Sequence, residues 1–190
     1  MLLERAPQQR RVALWYAKRG GSMMARAQLK LALRPYLPAD ALLLAEIFRA
    51  SIEQLTGDDY SEAQQQAWAS AADDEQAFAA RLASELTLIA TLDGSPVGFA
   101  SLKGPDHIEM LYVHPAMASQ GVGSMLVNAL ERLAAGRGAR RLTVDASDGA
   151  SGFFDKRGYI AQRRNTVTHG DEWIANTTME KRLVGERSAS

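Results

Sequence analysis

Apolar and polar positions recur along this chain in short runs whose period switches between strand-like and helix-like. Gln28 to Arg34 alternates as a strand does and ends at Pro35, which has no amide to give a sheet ladder. Pro38-Ala-Asp40 then caps a helix with Leu43, Leu44, Ile47 and Phe48 on its apolar side. After Gly57-Asp-Asp, Ser61 caps a second helix carrying Ala67 and Trp68, and a third covers Glu75 to Ser84. Leu86 to Leu92 and Val97 to Leu102, joined through Asp93-Gly-Ser, read as an antiparallel hairpin. Ile108 to Val113 is a further strand, stopped by Pro115. Beyond Gly121-Val-Gly123 runs a helix whose apolar face includes Met125, Leu126, Ala129, Leu130 and Leu133. Leu142 to Ala146 returns as a strand parallel to 108–113, with that helix as the crossover. A short helix from Gly149 to Arg157, a strand from Tyr159 to Thr168, a turn at His169-Gly-Asp171 and a last strand from Trp173 to Arg182 follow, and Val184 to Ser190 reads as a frayed tail.

Strand, glycine turn, helix is the local pattern of a phosphate cradle. Glycines let an anion approach the backbone, and the free amides of a helix start favour negative charge. A nucleotide P-loop would place Gly-Lys-Ser/Thr at the helix start, and no lysine stands there. A dinucleotide fingerprint would want a third glycine where Leu126 stands. A tight turn with no ligand is the bland alternative.

Composition narrows the partners. The chain has 190 residues, 46% of them hydrophobic, with formal net charge zero. That suits a soluble single domain with no long-range pull on polyanions, so neither nucleic acid nor membrane is expected as a partner, and a cytoplasmic location is the expectation. There is no cysteine, which rules out disulfides, thiolate metal sites and a cysteine nucleophile. No apolar run approaches the roughly 18 residues of a membrane span. Residues 1–30 hold seven Lys/Arg against one Glu, leaving fifteen basic and twenty-one acidic groups in the remainder. Residues 1–24 are therefore read as a basic extension from an upstream start or an added segment. A basic arm for an acidic partner and an acid-poor transit peptide are the alternatives. The domain proper is expected over 25–183 and the tail over 184–190.

Two separated motifs give a family resemblance. Leu111-Tyr-Val-His-Pro115 followed by Gln120-Gly-Val-Gly-Ser124 resembles the acetyl-CoA loop of the GNAT acyltransferases. Ala146-Ser-Asp-Gly-Ala150, then Phe153-Phe-Asp-Lys-Arg-Gly-Tyr159, resembles the family's following segment, and order and spacing match across roughly residues 29 to 183. The resemblance implies an α/β (α+β) GNAT fold: one mixed, centrally split sheet of about six or seven strands flanked by about four helices. It implies acetyl-CoA as co-substrate, without a metal, lying between the 108–114 and 142–146 strands. The pantetheine would meet backbone at Leu111, Tyr112 and Val113. The pyrophosphate would take amides of Gln120, Gly121, Val122, Gly123 and Ser124, with Ser147 and Phe154 as further cofactor contacts.

The implied chemistry is acetyl transfer to a primary amine of a small molecule by direct attack in a ternary complex. Glu109 is the expected base and Tyr112 a donor to the leaving sulfur, with an amide near Leu111 or Tyr112 polarising the carbonyl. An ion-paired strand carboxylate is the other reading of Glu109. Three positions depart from the family pattern: Ala118 where Gln or Arg is usual, Ser147 in place of Asn, and Phe154 in place of an acidic Tyr. Gln120 is expected to compensate for Ala118. Those departures keep alive a second hypothesis, a catalytically weak acyl-CoA-binding module. Tyr159 is expected in the core and His114 at a structural corner, with His107 beside Glu109 as a relay. Tyr60 and Trp68 are read as core residues, with substrate contact as the alternative. Asn165, His169, Trp173 and Asn176 approach the last hairpin, and the acceptor and any homodimer stay open.

Overall fold

The structure, a computed structural model, describes residues 30–183; the stretch 1–24, Gln28 and Leu29 of the first expected strand, and the 184–190 tail lie outside them. In chain order the elements are β1 (Leu31–Pro35), α1 (Ala41–Leu55), α2 (Glu62–Ala69), α3 (Glu75–Ser84), β2 (Leu86–Leu92), β3 (Ser95–Lys103), β4 (His107–Val113), α4 (Val122–Gly136), β5 (Arg141–Ser147), α5 (Asp148–Asp155), β6 (Ile160–His169) and β7 (Glu172–Arg182). Single 3-10 turns occupy Pro38–Asp40, Ser70–Ala72 and Pro115–Met117. The described residues thus hold seven strands and the five α-helices that the pattern predicts, in the fold the resemblance implies.

Local chemistry sets the element ends. Ser61 and Gln64 form a reciprocal capping box, the Ser61 oxygen accepting from the Gln64 amide at 3.2 Å and Gln64 Oε1 from the Ser61 amide at 3.0 Å. Asp74 caps α3 through the Ala77 amide at 2.9 Å, a contribution of about 1 kcal/mol. Asp93 and Gly94 both take left-handed backbone, φ 49° and 86°, so the β2–β3 turn matches the twist of its strands.

The sheet runs β1-β2-β3-β4-β5-β7-β6, and only β4 and β5 pair in parallel. A buried cluster lies on each face. On one, Leu126, Val127 and Leu130 of α4 and Phe154 of α5 pack on Ala100, Ile108, Val144 and Ala146. On the other, Leu44, Ile47, Phe48 and Ile52 of α1 with Phe78 and Leu82 of α3 cover Ile89, Phe99 and Met110. The α4 stripe centres on Val122, Leu126, Val127, Leu130 and Ala134, whereas Leu133, expected on that face, is 37% exposed near the helix end.

One irregularity positions the site. Ser101 pairs with Met110 but Leu102 pairs with Ile108, which leaves Glu109 as the extra residue of a β-bulge. Beyond it the side-chain alternation is reset: Leu111 and Val113 join the α4-side cluster, and Met110 and Tyr112 turn to the α1–α3 side.

Candidate active site

The β4–β5 pairing consists of His107 with Thr143 and Ile108 with Val144, and then stops. From Glu109 onward the two strands diverge. The His114 amide donates to the Val97 carbonyl at 2.9 Å, so alternation along an antiparallel pair turns the amide and carbonyl of Tyr112 toward β3. Leu111 and Val113 then direct theirs into the gap, leaving an open strand edge.

The gap opens into a cleft of about 500 Å³. Ser51, Leu55, Thr56 and Trp68 wall one end, the β4 and β5 edges form its middle, and the α4 loop with Phe153 and Phe154 closes the other. Gly121 caps α4 with φ 84° and ψ −3°, the left-handed conformation that glycine adopts without strain. The Met125 amide donates to the Gly121 carbonyl at 2.9 Å and begins the helical ladder. The amides of Val122, Gly123 and Ser124 precede that ladder and are free at the positive end of the helix. Gly121, Gly123 and Ser124 border the cleft.

Two loop positions sit differently. The Gln120 amide donates to the Met117 carbonyl at 3.3 Å and its side chain to the Ala116 carbonyl at 2.7 Å, so Gln120 folds back on its own turn rather than standing in for Ala118. The Val122 side chain is 1% exposed in the core, which leaves only its backbone for a ligand. Ser147 is the residue before α5 and lines the cleft beside Phe154. Phe154 is buried edge-on against Phe153 and Tyr159, an aromatic wall without a proton to give.

Glu109 reaches the cleft from the bulge. It hydrogen-bonds the Arg81 guanidinium of α3, with Lys103 Nζ at 3.6 Å and His107 Nε2 at 3.5 Å. His107 Nδ1 contacts Thr143 Oγ1 at 2.9 Å, which places both on the face that carries Glu109. Tyr112 packs edge-on to Phe48 at 4.6 Å, with Phe99 at 5.6 Å and Trp68 at 6.4 Å. Burial pushes its phenol up to about 12, with the Trp68 indole and the Arg81 charge pulling the other way.

Other expected residues are structural. The Tyr60 hydroxyl donates to the Ala175 carbonyl at 2.7 Å and accepts from the Asp148 amide at 2.9 Å, tying the chain ahead of α2 to β7 and α5. Tyr159 is 1% exposed. His114 Nδ1 accepts from the Ala116 amide at 3.2 Å. Asn165 donates to Asn176 at 2.9 Å on the last hairpin, and Trp173 is 66% exposed. Arg81 and Asp145 went unnoticed in the sequence. Arg81 carries no local signal of a partner 28 residues away, while Asp145 is legible as the polar residue alternating with Val144 and Ala146. Among the described residues no group of three or more His, Cys, Asp or Glu stands ready for a metal ion, and no helix is long and apolar enough to cross a membrane.

A split mixed sheet, an open strand edge and a glycine-capped helix facing the same gap form an α/β cleft suited to a ligand with an extended arm and a phosphate group. Comparison with known proteins agrees. The profile of the acetyltransferase (GNAT) domain matches residues 56–183. The Escherichia coli (strain K12) protein called uncharacterized N-acetyltransferase YafP is 32% identical over 147 residues, 77% of this chain and 93% of that protein. A crystal structure from Rhodopseudomonas palustris, described as a GCN5-related N-acetyltransferase (aminotransferase, class-II), is 66% identical with a TM-score of 0.80 over 85% of this chain and all of the other. The PaiA N-acetyltransferase of Thermoplasma acidophilum, solved with coenzyme A, shares the fold at 19% identity, with a TM-score of 0.67 over 81% of this chain and 99% of its own. The chain belongs to the GNAT acetyltransferase family.

Proposed function

We propose that this protein moves the acetyl group of acetyl-CoA to a primary amine of a small molecule, by direct attack in a ternary complex. The observation that carries this reading is the end of β4–β5 pairing after Ile108 and Val144, in the same cleft that Gly121 and the first turn of α4 border. The open edge at Leu111 and Val113 suits a pantetheine arm, which hydrogen-bonds as an added strand does. The amides of Gly121, Val122, Gly123 and Ser124 suit the pyrophosphate. Ser147 and Phe154 flank the arm from the β5 side.

The Leu111 amide then faces the thioester oxygen and stabilises the charge that grows on it. An amine near its reference value of about 10 is mostly protonated at neutral pH and must lose a proton before it attacks. Glu109 takes that proton through water, and Arg81, Lys103 and His107 hold its carboxylate in place. The nitrogen lone pair bonds to the carbonyl carbon, the C–S bond breaks with its pair on sulfur, and a proton completes the CoA thiol. Tyr112 keeps its own proton, since burial raises its phenol.

Thermal unfolding over an acetyl-CoA series tests the cradle. A saturating stabilisation, about 2.7 kcal/mol at a hundred times the dissociation constant, is expected. Free-thiol release with primary amines then tests transfer, and Glu109→Gln lowers turnover while acetyl-CoA affinity stays. Absence of any cofactor shift sinks the reading. Binding without thiol release from any amine marks instead an acyl-CoA-binding module, which Phe154 favours.

A further inference from the structure

Among the described residues that border the cleft, only Glu109 and Asp145 carry charge. Both stand at its throat, just beyond the last β4–β5 pair. Glu109 and Asp145 are the residues that follow the His107–Thr143 and Ile108–Val144 pairs, where pairing ceases. The His107–Thr143 contact puts both carboxylates on the same face of the sheet. Their surroundings differ. Glu109 is surrounded by Arg81, Lys103 and His107, whereas no Lys, Arg or His among the described residues lies within ion-pair distance of Asp145.

Asp145, though exposed, has one oxygen engaged. Thr178 Oγ1 donates to Asp145 Oδ1 at 2.6 Å. The Thr178 oxygen in turn accepts from Asn165 Nδ2 at 2.8 Å, and that amide also donates to Asn176 Oδ1 at 2.9 Å. The Asn165 donor leaves the threonine proton no use but the carboxylate, so three strands combine to aim one aspartate. Its second oxygen has no partner among the described residues. An uncompensated carboxylate at the mouth of a reaction cleft attracts a cation and repels an anion.

We infer that Asp145 binds a second positive charge on the acceptor, so that the substrate class is short aliphatic amines bearing a distal cationic group, diamines above all. This rests on the acetyl-transfer reading of the same cleft. The free amine meets the thioester at Leu111 while the distal ammonium sits on Asp145. Leu111 lies two residues beyond Glu109, at most about 7 Å along the strand, within the nitrogen-to-nitrogen reach of an extended four-carbon diamine. Asp145 is a specificity residue here, and Thr178 and Asn165 position it.

The test measures thiol release by the full chain at saturating acetyl-CoA with 1,4-diaminobutane, 1-aminobutane, 4-amino-1-butanol and 4-aminobutanoate. We expect kcat/KM for the diamine to exceed that for the monoamine and the amino alcohol about tenfold, as a charge-assisted contact implies, with the aminobutanoate poorest. Asp145→Asn should collapse that ratio toward one by raising the diamine KM rather than by lowering kcat. Thr178→Val, which frees the carboxylate without removing it, should collapse it partway. Both variants should keep the acetyl-CoA-dependent thermal shift, which shows that they fold and hold cofactor. A wild-type ratio near one, a ratio unchanged in Asp145→Asn, or cofactor binding with no thiol release from any of the four amines overturns the inference. Loss of the acetyl-CoA shift in the wild type overturns the acetyl-transfer reading itself.

Discussion

Replacing Gly123 by alanine separates what α4 needs from what the cleft needs. Gly123 is not among the residues with positive φ, so an alanine fits its backbone without strain. The new Cβ would stand 3.6 and 3.7 Å from two atoms of the Phe153 ring and 3.9 Å from Val113 Cγ2, all ordinary contacts. Removing glycine's freedom in the unfolded chain then stabilises by about 0.4–1 kcal/mol, about 1–4 °C in Tm for a domain of this size. The same methyl enters the cleft, because Gly123, Val113 and Phe153 all border it. Overfilling a fitted contact there costs about 1–3 kcal/mol, a loss of roughly 5- to 150-fold in acetyl-CoA affinity. Calorimetric unfolding and titration with acetyl-CoA read the two effects on one sample. A raised Tm with unaltered affinity would refute the reasoning, since the pyrophosphate would then not pass over Gly123.

At Gly121 the demand is conformational: no atom lies within 4 Å of its Cβ position, yet φ is 84°. Gly121→Ala should destabilise by about 1–2 kcal/mol and Gly121→Asn by clearly less, and equal losses in thermal unfolding would mean the left-handed turn is not the cause. Phe154→Tyr buries a hydroxyl on a ring that is 2% exposed. It should lower stability by about 1–3 kcal/mol without raising turnover, and a faster enzyme would contradict this. Tyr112 is raised from 10.0 to about 12, so its stabilisation is complete below pH 10 and lost as pH climbs toward 12. Within that window one such group makes stability fall by about 1.4 kcal/mol per pH unit. Tyr112→Phe should flatten the alkaline limb of a Tm–pH profile, leaving the part due to Tyr36, Tyr60 and Tyr159, which are also raised, and an unchanged limb would rule this out.

Local signals were readable where they sufficed. The Glu75–Ser84 helix, the Asp93-Gly94 hairpin and the Ser61 cap follow from spacing and cap chemistry, and each lies where the pattern puts it. The bulge at Glu109 left no such trace. Every other residue from Ile108 to Val113 is apolar because both faces of β4 are covered, so no period-2 pattern existed to be broken. Gln120 looked like a cradle residue in a linear motif, but Pro115–Met117 winds into a 3-10 turn that takes up its amide and side chain. The ion pairs of Glu109 join α3, β3 and β4, a meeting that only the tertiary fold creates. Resemblance pointed to the glycine turn at 121–123, and the surroundings of Glu109 and Asp145 arise only from the tertiary fold.

The missing tyrosine at Phe154 matters less than it first suggests, because acetyl transfer to a neutral amine is balanced in protons. A neutral primary amine brings two N–H bonds, the amide keeps one, and the other proton belongs on sulfur. A thiol holds its proton at about 8.5, whereas burial holds that of Tyr112 at about 12. Handing the Tyr112 proton to the thiolate is therefore uphill by roughly 5 kcal/mol. The positively charged nitrogen of the tetrahedral adduct releases its proton far more readily, and a single water can carry it to sulfur. Phe154 then serves as a dry wall to the cleft, and its lack of a hydroxyl removes no necessary step. The demanding proton is the earlier one, which the ammonium must lose before it attacks. On the proposed reading Glu109 takes it through water and Asp145 selects the acceptor, so these two carboxylates, rather than an acid at position 154, would govern which amines react.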